Sequence, residues 1–196
     1  MKSRNTKERI LLEALKLFSN EGYEAVSVEQ IAAAVGIKAP SLYKHFKSKR
    51  DIFDSILRMM EQHDREQAAA CDVPEETKED DPQAYEEPSV ENLIEFSKVM
   101  FRYWTEDEFA APLRKMLTLE QYRSEEMNRL YHQYLGSGPL SYVADLLGSR
   151  EEALLFYGPM FMLYSIYDEA EDKLNVLNLL DKHHHMHYIH NIVLYL

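Results

Sequence analysis

The chain has 196 residues, 45% of them hydrophobic, and a formal net charge of −12. That balance argues at first against a nucleic-acid binder, and the length leaves room for a second core behind a small first one. The single cysteine, Cys71, excludes an internal disulfide, and no apolar run approaches the ~20 residues that would span a bilayer, so no membrane partner is expected. With a polar, charged N-terminus lacking a signal-peptide core, the expected location is the cytoplasm.

The charge is unevenly spread. Residues 1–50 hold ten Lys/Arg against five Glu, a local balance of +5 that leaves −17 on the remainder. A basic head can meet phosphate while an acidic body keeps the protein soluble and off non-specific sites.

The pattern is helical almost throughout, with no sustained period-two alternation. Asn5 with Glu8 predicts a capped first helix carrying Ile10, Leu11, Ala14, Leu15 and Phe18 inward and stopping at Gly22. Ser27 with Gln30 predicts a second capping box, opening a short helix with Val28, Ile31, Ala32 and Val35 and ending at Gly36. Small Ala32 and Ala33 permit close helix approach. Pro40 suits the first turn of a third helix. Ser48 with Asp51 opens a fourth, with Ile52, Phe53, Ile56, Leu57 and Met60 inward. Residues 72–89 are acidic, contain three prolines and read as an exposed loop or partly disordered linker. Helices follow over 90–105, over 106–117 with Pro112 as a kink or split, and over 124–135. A break at 136–139 precedes further helical pattern at 140–147, then helices over about 150–168, capped by Ser149, and about 176–195.

Helix, glycine turn, helix is the helix-turn-helix arrangement, whose second helix enters the major groove. Ile31, Ala32, Val35, Ile37, Leu42 and Phe46 read as its packing residues. The exposed face then offers Lys38, Ala39, Pro40, Ser41, Tyr43, Lys44 and His45 to base edges, thymine methyls or phosphates, with Ser27 and Lys49 as further phosphate contacts and Lys47 and Arg50 nearby.

Over residues ~7–57 the order and spacing of Phe18, Gly22-Tyr23, Ser27, Ile31-Ala32, Val35-Gly36-Ile37, Leu42-Tyr43-Lys44-His45-Phe46 and Ser48-Lys49 resembles the N-terminal domain of the TetR family of bacterial transcriptional repressors. The resemblance implies phosphate contacts at Ser27, Tyr43, His45 and Lys49, and base readers at Ala39, Pro40, Ser41 and Lys44. Lys38 stands where the family often has a capping Ser or Thr, and Pro40 where Gly or Ala is frequent. The implied architecture is all-α: an N-terminal three-helix helix-turn-helix DNA-binding domain at 1–47, plus a C-terminal helical ligand-binding and dimerisation domain at 48–196. The latter includes a linking helix at ~48–70 and the acidic loop at ~72–89. The implied partners are double-stranded operator DNA, a second copy bound through the last two helices, and a small-molecule effector. The candidate dimer helices carry Leu154, Leu155, Met162, Leu163 and Ile166, then Leu177, Leu180, Ile189, Ile192 and Val193.

In the body, Met100, Tyr103, Trp104, Met116, Tyr122, Tyr131, Tyr134, Tyr157, Phe161 and Tyr164 are of the type that lines an apolar or aromatic effector pocket, and equally of the type that fills an ordinary core. Acidic and aromatic residues together would suit a lipophilic cation. His183, His187 and His190 share a helix face, but with no cysteine nearby a titrating surface or interface stripe is preferred to a metal site. No metal and no cofactor are expected. The sequence has no phosphate-binding glycine loop, nucleophile elbow or HExxH, so no enzyme is expected. A ligand-independent DNA-binding adaptor, recruiting a protein through the acidic body, is the alternative.

Overall fold

A computed structural model describes residues 5–70 and 90–194, with side chains described at 5–66 and 92–186. The expected acidic loop at 72–89 lies outside the described residues, as do the side chains of His187, Ile189, His190, Ile192 and Val193. Among the described residues there are helices and turns only. None of these helices is long and apolar enough to cross a membrane.

The order is α1 (Thr6–Glu21), α2 (Val28–Val35), α3 (Ala39–Leu42), α4 (Lys49–Ala70), α5 (Val90–Glu106), α6 (Ala110–Glu120), α7 (Glu125–Tyr134), α8 (Ser137–Leu147), α9 (Arg150–Glu169) and α10 (Lys173–Leu194). By packing, the described residues fall into two compact units: 5–70 with 108–131, and 90–107 with 132–194.

In the first unit the local signals act as expected. Asn5 Oδ1 accepts from Glu8 N at 3.0 Å and Glu8 Oε2 accepts from Asn5 N at 3.2 Å, closing the α1 capping box. Ile10, Leu11, Ala14, Leu15 and Phe18 are all buried, and α1 packs against α2, α4 and α6. Ile52, Phe53, Ile56 and Met60 of α4 are fully buried, as are Leu113, Met116 and Leu117 of α6. Pro112 neither kinks nor splits a helix: it sits in the first turn of α6, where a missing N–H costs no intrahelical bond.

The second unit is bound by aromatic contacts. Phe101 of α5 stacks on Tyr164 at 5.1 Å and meets Tyr167 edge-on at 5.6 Å, both from α9. The Tyr167 hydroxyl donates to Glu106 Oε1 at 2.6 Å. Burial, then this bond, pushes the phenol up to about 12. The break expected at 136–139 is narrower and earlier, at Leu135 and Gly136, because Gly138 and Pro139 fall inside the first turn of α8. Gly148, left-handed at φ +65°, ends α8, and Ser149 Oγ accepts from Glu152 N at 3.2 Å to start α9. Pro159 lies inside α9 and removes one backbone donor there.

α10 is tied to α9 and α5 through histidine. His184 is fully buried, stacks on Phe156 at 4.6 Å and lies 3.2 Å from Ser97 Oγ through Nε2. His183 Nε2 lies 3.1 Å from the Phe156 carbonyl. His184 therefore belongs to the interior. Among the described residues no three potential ligands gather for a metal. An apolar face remains open along these helices: Leu154, Leu155, Met162 and Ile166 on α9, with Leu174, Leu179 and Met186 on α10, are exposed. Leu163 and Leu180 face their own core instead.

Candidate nucleic-acid interface

Ser27 opens α2. Its Oγ accepts from Gln30 N at 3.2 Å while Gln30 Oε1 accepts from Ser27 N at 2.7 Å. A hydroxyl has one proton besides its lone pairs, so this cap leaves Ser27 able to donate to a phosphate oxygen. The first turn of α2 adds backbone N–H groups and the positive end of a helix dipole.

The turn is set by Gly36, left-handed at φ +78° and ψ +31°. Ile37 N donates to Ala32 O at 2.9 Å and Gly36 N to Ala33 O at 3.0 Å, the paired bonds of a Schellman stop. Arg9 Nη2 donates to Val35 O at 2.8 Å and pins the turn to α1. Ile31, Ala32 and Val35 are buried. Ala33 is exposed, so close approach of the two helices rests on Ala32 alone.

Lys38 is extended and gives α3 no side-chain cap, and Pro40 sits in the first turn. Only Ala39–Leu42 is α-helix, but the coil continues more tightly: His45 N donates to Leu42 O at 2.8 Å and Phe46 N to the same carbonyl at 3.1 Å. Leu42 and Phe46 anchor its inner side. On its outer side Lys38, Pro40, Tyr43 and Lys44 are exposed and Ala39, Ser41 and His45 are half-exposed, with Tyr43 49% accessible. All seven expected readers of this segment are thus brought to one surface element.

Lys49 is differently placed from the others. Its ammonium donates to Tyr23 O at 2.8 Å and Glu24 O at 3.3 Å, and stands 4.4 Å from the centre of the Tyr23 ring. It staples α4 to the end of α1. Arg50 is likewise engaged, by Asp54 and by Glu126 of α7. Sequence reasoning did not single out Glu126 or the buried Glu120, because nothing local distinguishes them from the chain's other acids.

The ten expected effector residues are divided between the two units. Met116, Tyr122 and Tyr131 belong to the first unit and the other seven to the second. Tyr122 is 87% exposed and lines no interior. Met116 is core of the first unit. In the second unit, Tyr103, Trp104, Tyr134, Tyr157 and Tyr164 are buried, and Met100 and Phe161 half-buried. Trp104 meets Tyr103 edge-on at 5.3 Å and Tyr134 at 6.4 Å, and Tyr157 meets Phe161 at 5.4 Å. Each of these rings contributes to packing whatever else it does.

A short, anchored reading segment carried on a glycine-stopped helix pair is the design of a helix-turn-helix protein. Residues 10–56 match the family model described as bacterial regulatory proteins, tetR family. Residues of this chain are 40% identical over 52 residues to IcaR of Staphylococcus aureus, an HTH-type negative transcriptional regulator of the biofilm operon icaADBC. They are 39% identical over 59 residues to AcrR of Shigella flexneri, an HTH-type transcriptional regulator. These matches take in 26% and 30% of this chain, and only 28% and 27% of those relatives' lengths. Residues 10–56 are therefore a segment of the kind that this family model describes, and the likeness in sequence is confined to that part of the chain.

The fold likeness is wider. The fatty acid degradation regulator FadR of Bacillus halodurans superposes with a TM-score of 0.62 at 17% identity, over 95% of this chain and 96% of that one. A fatty acid metabolism regulator of Clostridium perfringens gives a TM-score of 0.60 at 19% identity, over 88% of this chain and 94% of that one. At such identities the likeness speaks for the fold alone.

Proposed function

We propose that this chain is a DNA-binding transcriptional repressor that acts as a homodimer and leaves its operator when a small molecule binds its C-terminal part. The observation that carries the reading is the anchored 38–46 segment, with Lys38, Tyr43 and Lys44 exposed. Ser27, Tyr43 and His45 contact phosphate, while Lys38, Ala39, Pro40, Ser41 and Lys44 face the bases. Lys49 acts more by holding Tyr23 in place than by reaching out. Residues 1–47 do the reading and 48–196 carry regulation and dimerisation. The negative sign of control is taken from IcaR, whose likeness lies in the head.

The open apolar face of α9 and α10 is the surface through which a second copy binds, presenting two reading segments to a pseudo-palindrome. An apolar or aromatic effector is held among Trp104, Tyr134, Tyr157 and Phe161. It releases DNA only if it prefers the geometry that does not bind.

The test is a binding titration on the DNA upstream of the protein's own gene, across a salt series. Wild type is expected to bind tightly with a steep salt dependence. Tyr43→Ala and Lys44→Ala each bind about tenfold more weakly, Tyr43→Ala uniformly across sequences and Lys44→Ala with relaxed preference at the base pair it reads. Wild-type binding no tighter than to random DNA, on this region and on a genome-wide selection, overturns the reading.

A further inference from the structure

Two carboxylates from the α6–α7 segment hold the head at points that the reading residues do not use. Glu120, at the end of α6, is only 2% exposed. Its Oε1 accepts from Tyr23 N at 3.1 Å and lies 3.2 Å from Arg123 Nη1. The oxygen occupies space that a side chain at position 22 would need: a Cβ on Gly22 would stand 2.7 Å from it. Glu126, in the first turn of α7, accepts two bonds from Arg50, Nη1 to Oε2 at 2.7 Å and Nη2 to Oε1 at 2.6 Å. Arg50 Nε donates to Asp54 Oδ1 at 2.7 Å, so all three nitrogens of the guanidinium are directed. The Arg50–Glu126 bonds hold the Glu126 carboxyl below its usual range and raise the Arg50 guanidinium. The two grips meet at Phe53, whose ring packs against Tyr23 at 5.1 Å and under Arg50 at 5.5 Å.

A forked arginine–carboxylate pair at the surface adds little stability, but it fixes distance and angle. The helix α3 is four residues long and takes its pose from the elements around it. We infer that Glu120 and Glu126 are positioning residues for DNA reading, fixing the end of α1 and the start of α4, and with them α2 and α3, on the α6–α7 segment. The inference rests on the DNA-binding reading above for its functional consequence, and neither residue touches DNA in it.

Charge alone predicts the opposite effect. Glu126→Gln removes a negative charge and releases an arginine, which should raise affinity for a polyanion. Positioning predicts a loss. The experiment uses the full chain as wild type, Glu120→Gln, Glu126→Gln, Arg50→Ala and the Arg50→Ala/Glu126→Gln double variant. Amide hydrogen exchange is followed without DNA. Affinity is measured on the duplex that wild type selects from a random-sequence pool, and on one half-site of that duplex.

Expected are faster exchange at Tyr23 in Glu120→Gln and along the start of α4 in Glu126→Gln, and about tenfold weaker binding of the full duplex by either variant, with the half-site little changed. The double variant should lose no more than Glu126→Gln. Unchanged exchange overturns the inference whatever DNA does. Quickened exchange with equal or higher affinity for the full duplex overturns it too, leaving two structural contacts. Should wild type select no sequence, the DNA-binding reading fails, and the exchange result by itself supports or overturns the grip on the head.

Discussion

Gly22 shows how much one residue can carry. Its backbone, at φ +87° and ψ 154°, lies in a region open essentially to glycine, and its missing side chain makes room for Glu120. Gly22→Ala is therefore expected to lower the unfolding free energy by about 2 kcal/mol in urea denaturation, with the m-value unchanged. A loss below about 0.5 kcal/mol would mean that the carboxylate yields easily. Tyr167 gives a pH prediction. Its folded pKa is about 12, above the ordinary phenol value of about 10, so folding favours the protonated form. The stabilisation is fully present below the unfolded value and is lost as pH rises from about 10 through about 12. An ultraviolet titration at alkaline pH, comparing wild type with Tyr167→Phe, should show one phenol ionising near 12 rather than near 10.

At the scale of elements, α2 separates capping from reading. Ser27→Ala removes the cap and should cost about 1 kcal/mol. Ser27→Asp keeps a capping oxygen and sets a negative charge where phosphate is proposed to lie. It should melt like wild type and bind DNA at least tenfold more weakly. Equal binding by Ser27→Asp would move the phosphate path away from α2. The boundaries of α1, α2 and α9 are legible in the sequence because each cap lies within three residues of its partner. The boundaries around Pro112 and Pro139 are less legible, because proline marks a first turn as readily as a break.

At the scale of the molecule, the open face of α9 and α10 predicts the assembly. Met162 is 67% exposed on that face. Met162→Glu should turn a dimer into a folded monomer in sedimentation, with little change in melting of the isolated chain. Leu163→Ala, one residue on but buried, should instead cost about 2–5 kcal/mol of stability. A wild type that sediments as a monomer at all concentrations would remove the dimer from the proposal.

The sequence by itself determined the helical character, the caps of α1, α2 and α9, the glycine-stopped turn and the outward residues of the 38–46 segment. These follow from spacings of three to five residues and from backbone conformations that few residues adopt. The tertiary structure alone decided which acids matter. Glu120 and Tyr23 are 97 residues apart and Glu126 and Arg50 are 76 apart, and no local pattern separates these carboxylates from solvated ones. It also decided which aromatics are packed together and which, like Tyr122, lie at the surface. Helical periodicity records that a residue is apolar, while the face that it meets is supplied by a distant part of the chain.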